Sequence, residues 1–153
     1  MRLYEASLST LRDLGDRQCI ASTLSNLAAV ALRAGDPARP GALLTESMAV
    51  CRDLDDKAGL ADCLERLAEV REAEGDPALA ARLLGTAHAL REATGAVRPA
   101  TAEAAHDTLV QTLRAALGAP AFITAWSTGQ ATRDDPAAPD EPQLASPLPR
   151  RGV

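Results

Sequence analysis

A shift of forty residues lays this chain onto itself. Leu14-Gly15-Asp16 falls on Leu54-Asp55-Asp56, and Leu24, Leu27, Ala28 and Val30 fall on Leu64, Leu67, Ala68 and Val70. Gly35-Asp36-Pro37-Ala38 falls on Gly75-Asp76-Pro77-Ala78. About fifteen of the first forty positions coincide, and a period of about forty residues is that of stacked helical hairpins. In such a stack each unit buries its apolar faces only against its neighbours, so the repeat restricts the fold to a one-dimensional array.

Each period reads as two helices. Ile20, Leu24, Leu27 and Ala31 keep the spacing of one helical face, and Leu60, Leu64, Leu67 and Ala68 repeat it. Gly35 ends the first helix of the pair. Asp36 is placed to cap the next, with Pro37 at its first position, where a missing N–H costs nothing. Leu44, Met48, Cys51 and Leu54 mark the second helix. Pro40 opposes the pattern, because near the fourth position it removes a backbone donor; a distorted helix start around Arg39 is expected. A third, less regular copy carries Gly118-Ala119-Pro120-Ala121 without the Asp, followed by Phe122, Ile123 and Trp126. Large aromatics gathered there suit a terminal cap.

These features predict an all-α right-handed solenoid with helices near 1–14, 17–34, 37–54, 57–74, 77–94, 100–117 and 120–130. The last two form a C-terminal capping hairpin. Residues 1–131 make one repeat domain. Residues 132–153, with half of the chain's ten prolines and little apolar pattern, read as a disordered tail. Aromatics are only 2 % of the chain against 46 % hydrophobic residues, so the core must be Leu, Ala and Val.

Charge and motifs narrow the function. A net charge of -5 with a single lysine, Lys57, gives no electrostatic footprint for nucleic acid or an anionic membrane. Cys19, Cys51 and Cys63 are scattered, with no C-x-x-C pair and no metal-ligand spacing to histidine. Reduced thiols, no leader-like N-terminus and no long apolar run read as cytoplasmic. Cys51 aligns with Leu11 and reads as core; Cys19 lies near a helix start, where a thiolate can be stabilised, but reads as unreactive. His88 aligns with Met48 and reads as a packing residue, and His106 as a solvated one. No nucleophile, base and orienting group combine, so neither a catalytic site, a cofactor nor a metal is expected.

The candidate site is instead a surface. Asp62, Glu65, Glu69 and Glu72 make an acidic stripe on one helix, and the equivalent helix of the preceding copy offers Ser22, Ser25, Ala29 and Arg33. A groove with one acidic and one small, neutral wall suits a protein or peptide partner with basic and apolar residues. A small effector in the same groove is the alternative. At the N-terminus Met1 to Leu14 matches the second helix of a repeat whose first helix is missing. Leu3, Leu8 and Leu11 then form an end face for self-association, or for docking onto a preceding domain in a longer protein.

The copies resemble tetratricopeptide repeats. Leu27-Ala28, Gly35, Leu44 and Ser47, and more fully Leu67-Ala68, Gly75, Ala80, Leu84 and Ala87, occupy places similar to that family's signature positions. The family's aromatic positions are not filled, and Pro40 stands where a small residue is usual. A longer stretch resembles the C-terminal repeats of large bacterial signal-transduction ATPases and transcriptional regulators. It runs through Ala80-Ala81-Arg82-Leu83-Leu84-Gly85, Ala89-Leu90-Arg91-Glu92, Leu113 to Gly118 and Ala125-Trp126. That resemblance implies a regulatory or scaffolding arm. It does not carry over nucleotide hydrolysis or DNA reading, because the chain has neither a phosphate loop nor a helix-turn-helix.

Overall fold

The computed structural model describes residues 2–36 and 38–132. They form seven helices: α1 (Arg2–Leu14), α2 (Arg17–Arg33), α3 (Arg39–Asp53), α4 (Lys57–Ala73), α5 (Pro77–Thr94), α6 (Ala100–Leu117) and α7 (Ala119–Ala131). The chain is an all-α solenoid, and no strand occurs among the described residues. The expected tail and Pro37 lie outside them.

One turn recurs every twenty residues and sets the stack. Gly15, Gly35, Asp55 and Gly75 all have positive φ, at 71°, 75°, 52° and 84°. In each case the next residue is an aspartate that closes the old helix and opens the new one. The backbone N–H groups of Asp16, Asp36, Asp56 and Asp76 donate back to Leu11, Ala31, Cys51 and Arg71, which satisfies otherwise orphaned helix-end carbonyls. Their side chains accept from the next helix's first turn: Cys19 N at 3.1 Å, Arg39 N at 3.1 Å, Gly59 N at 2.8 Å and Leu79 N at 3.0 Å. Each such cap contributes about 1 kcal/mol.

The helix that Pro40 was expected to distort around Arg39 starts late and is not broken. α3 begins at Arg39, two residues later than the repeat would place it, so Pro40 sits in the first turn where its absent N–H has no partner to lose. Asp36 still caps this start, reaching Ala38 N as well as Arg39 N. Pro40 itself is buried.

The core is built as its composition requires. Leu24, Leu27, Ala31, Leu44, Met48, Leu67, Ala68, Leu84 and Leu113 are essentially sealed from solvent. Leu54, expected with the second helix's face, is exposed. Beyond Gly95 the twenty-residue rhythm fails, because Ala96 replaces the capping aspartate. The chain runs on through Val97, Arg98 and Pro99 before α6, which has no side-chain cap and buries only Leu109 and Leu113. The closing helix α7 packs chiefly on α5. Gly85 and Gly129 permit the approach: a Cβ on Gly85 would overlap the Trp126 carbonyl, and one on Gly129 would overlap the Arg82 carbonyl. Thr86 Oγ1 donates to Gly129 O at 2.9 Å across the contact. Phe122 is buried there and Trp126 partly so, tilted against His88 at 5.3 Å, whereas Ile123 faces solvent.

Two substitutions test this account. Asp55→Gly relieves a left-handed non-glycine residue and should raise stability by about 0.5–1 kcal/mol in chemical denaturation. Gly85→Ala should cost about 1–3 kcal/mol by forcing α7 off α5, with a red shift in the emission of Trp126. An unchanged midpoint and emission would show that the contact is slack.

Candidate binding face and its charge network

Part of each wall anticipated from the sequence faces one space: Ser22 and Ser25 from one, Asp62 from the other. A cavity of about 430 Å3 opens between α2 and α4 and is floored by α3. Gln18, Ser22, Ser25 and Asn26 line it from α2, Ser47 and Cys51 from α3, and Gly59, Asp62, Cys63 and Arg66 from α4. The helix phase explains this: Ser22, Ser25 and Asn26 recur at three- and four-residue spacing on one side of α2, as Gly59, Asp62, Cys63 and Arg66 do on α4. Gln18 Nε2 donates to Asp56 Oδ2 at 2.7 Å and ties the two helix starts together. Ser25 is buried, and its hydroxyl has no hydrogen-bond partner among the described residues.

Of the expected small wall, Ser22 is exposed and at the cavity, Ala29 is half-buried, and Arg33 is exposed with its Nε on the Ala29 carbonyl at 3.2 Å. Neither Ala29 nor Arg33 lines the cavity.

The acidic stripe is not the open negative surface that its spacing suggested. Asp62 and Glu65 are engaged within the protein by two arginines from the next hairpin. Arg91, itself buried, donates to Asp62 and, through Nε at 2.9 Å, to Glu65 Oε1. Arg98 Nη2 reaches the same Glu65 oxygen at 2.7 Å and also pairs with Glu103. Glu69 and Glu72 are half-buried, and among the described residues no hydrogen bond or ion pair reaches either. The repeat carried a signal for this network, since Arg91 occupies the register of Cys51 and Leu11. A charge in a core register needs a buried partner.

Neighbouring carboxyls of the stripe are pushed in opposite directions. Burial raises Glu65, but hydrogen bonds from Arg91 and Arg98 outweigh it and hold the carboxyl below its ordinary range. Burial raises Glu69 as well, and the more distant charges of Arg66 and Arg33 do not overcome it. His106 is partly enclosed rather than solvated, with Nδ1 buried and unpartnered. Its acidity is altered by burial first and by Arg98 second, both disfavouring the imidazolium. Cys19 is pushed up by its hydrogen bond to Asp16 and so held as the thiol.

At the N-terminal end, Leu3 is exposed as expected. Leu8 is not part of an end face: it is buried against Ile20 and Leu24, with Leu11 packed partly on the same cluster. These two leucines fasten α1 to α2. Ion pairs from Arg12 to Glu46 at 2.6 Å and from Arg39 to Glu5 fasten it to α3.

The charge network yields a pH prediction. The folded pKa of Glu65 lies below its unfolded value of about 4.3, so its contribution is complete above that value and is lost as pH falls through the folded pKa. Glu69, with a raised folded pKa, disfavours the fold above that pKa. Glu65→Gln should therefore destabilise at neutral pH by about 3 kcal/mol, leaving two arginines facing each other, and should flatten the acid limb of the stability curve. Glu69→Gln should stabilise at neutral pH and leave stability in acid unchanged. Urea titrations between the acid and neutral ranges read both; a parallel response of the two variants would refute the assignment.

The geometry can be set against known proteins. No curated protein and no solved structure matches the sequence. Residues 19–93, from the start of α2 to the last turn of α5, match the family model of the tetratricopeptide repeat, and the solenoid is accordingly tetratricopeptide-like.

Proposed function

We propose that this chain is a non-enzymatic interaction scaffold that holds a peptide segment of a protein partner along the α2–α4 face. Tetratricopeptide repeats generally mediate protein–protein interaction and typically do not catalyse. The observation that carries the reading here is the polar cavity between α2 and α4, with the unpartnered buried hydroxyl of Ser25 in its wall. A buried hydroxyl without a partner costs about 1–3 kcal/mol, and a partner's polar side chain entering the cavity would relieve it. Basic residues on the partner would meet Glu69 and Glu72, the carboxylates of the stripe that no hydrogen bond or ion pair reaches among the described residues. No helix among the described residues is long and apolar enough to cross a membrane, which suits a partner met in water.

The cavity volume also lies in the range of small-molecule sites, about 300–1,000 Å3. Such sites are mostly apolar, however, whereas this one is lined by Ser, Asn, Gln, Asp and Arg. A side chain of an extended peptide fits that lining better than a free effector. By its resemblance to the C-terminal repeats of bacterial signal-transduction regulators, the scaffold would serve as the regulatory arm of a cytoplasmic protein.

Selection of the full chain against a displayed random-peptide library tests the reading. Enriched peptides should carry Lys or Arg. Glu69→Lys with Glu72→Lys should weaken binding about tenfold or more, a loss of about 1.4 kcal/mol. Ser22→Trp, an exposed position at the cavity mouth, should block binding without shifting the melting transition. Peptides that bind equally well to both variants would place the interaction on another face.

A further inference from the structure

The floor of the cavity holds chemistry that peptide binding does not use. Cys51 on α3 and Cys63 on α4 are each 2 % exposed, and both line the cavity. Gly59 lies one turn before Cys63 on the same face of α4, and a Cβ placed on it would come within 3.0 Å of Cys51 Sγ. The Cys51 sulfur therefore lies against the α4 face one turn from Cys63, and Ser47, one turn before Cys51 on α3, lies 3.1 Å from the Cys63 sulfur.

The hydroxyls around them are arranged for an ionised sulfur. Ser47 has one proton and donates it to the Ala21 carbonyl at 2.8 Å. At 3.1 Å from Cys63 Sγ, Ser47 Oγ consequently receives the S–H of the neutral thiol. Ser25, also bordering the cavity, has no partner in that state. Once Cys63 loses its proton, the thiolate is an acceptor for a rotated Ser47, in a cavity whose wall also holds the unpartnered hydroxyl of Ser25.

We propose that Cys51 and Cys63 are an oxidisable dithiol at the floor of this cavity, with Cys63 the nucleophile toward hydrogen peroxide and Cys51 the resolving thiol. The Cys63 thiolate attacks one peroxide oxygen, the O–O bond breaks, and the sulfur is oxidised to a sulfenic acid. The other oxygen leaves as hydroxide and takes up the proton released by the thiol, giving water. The Cys51 sulfur then displaces the sulfenic oxygen, which departs as a second water with the Cys51 proton, and the S–S bond forms. Two thiols and one peroxide are converted into one disulfide and two waters.

The acidities support the division of labour. Cys63 is pushed down to about 7, by the hydrogen bond from Cys51 first and by Ser47 and Ser25 after it, against the opposing effect of burial. Cys51 is pushed up, chiefly by that same hydrogen bond, and keeps its proton until the second step. The exposed Cys19, raised by Asp16, is an internal control: were access alone decisive, it would react first. The chemistry does not rest on the peptide-binding reading above.

The test treats the reduced, folded full chain with hydrogen peroxide near neutral pH, followed by alkylation and peptide mapping. A Cys51–Cys63 linked peptide lacking two hydrogens should appear, at a rate at least about tenfold above oxidation of Cys19, and dithiothreitol should reverse it. Cys51→Ser should stop at a Cys63 sulfenic acid trapped by dimedone. Cys63→Ser should abolish the fast phase while circular dichroism shows the helices intact. A second measurement needs no variant: the rate of Cys63 alkylation by iodoacetamide in the unmodified chain should rise through the neutral range, before that of Cys19. Oxidation of Cys19 ahead of the pair, or a Cys63 alkylation profile that rises no earlier than that of Cys19, would overturn the proposal.

Discussion

The stack depends on a backbone constraint before it depends on any side-chain packing. At four places twenty residues apart, one residue must turn left-handed and the next must both end one helix and start another. An L-residue with a Cβ resists the first requirement by about 1–2 kcal/mol, and glycine does not. Only a short acceptor side chain meets the second. Gly-Asp satisfies both at 15–16, 35–36 and 75–76, and Asp-Asp does so with some strain at 55–56. Because the turn is so short, consecutive helices must be antiparallel neighbours. Their apolar stripes then face one another with no long-range instruction in the sequence.

That is why the first five helices were legible. The leucine and alanine spacing named the faces, the Gly-Asp pairs named the ends, and the two agree. Helix boundaries read from the sequence fall within one residue of those observed for α1, α2, α4, α5, α6 and α7. The exception is α3, whose start lies two residues later than the repeat places it. The distortion expected around Arg39 takes the form of a late start, so that Pro40 falls in the first turn, where it is harmless.

The binding face was legible only in outline. Which residues of α2 and α4 share a side follows from helical phase, so Ser22, Ser25 and Asp62 were placed correctly at one space. What each carboxylate does there depends on the hairpin that follows. That hairpin departs from the repeat, with an arginine in a core register and a break after Gly95. Arg91 and Arg98 convert half of an acidic stripe into an internal clamp between α4, α5 and the α5–α6 connection. No count of charges along one helix could show this, because the partners lie 26 to 33 positions away. The thiol pair was hidden for a similar reason: Cys51 and Cys63 sit on different helices, in registers that separately look like core.

The same break shapes the end of the solenoid. With an aspartate at position 96, the next helix would have been held close, as α4 is by Asp56, and α6 would have continued the regular array. The five-residue connection 95–99 instead releases α6 from that position and anchors its own start through Arg98 to Glu65 and Glu103. α7 then seals the face of α5, and two glycines bring the backbones together in a core poor in aromatics. Closing the array and neutralising half of the acidic stripe therefore both fall to the last repeat, through the break after Gly95 and through Arg91 in a core register. The candidate surface for the proposed partner is correspondingly narrower than the repeat alone implies: the cavity between α2 and α4, and the two carboxylates beyond it, Glu69 and Glu72.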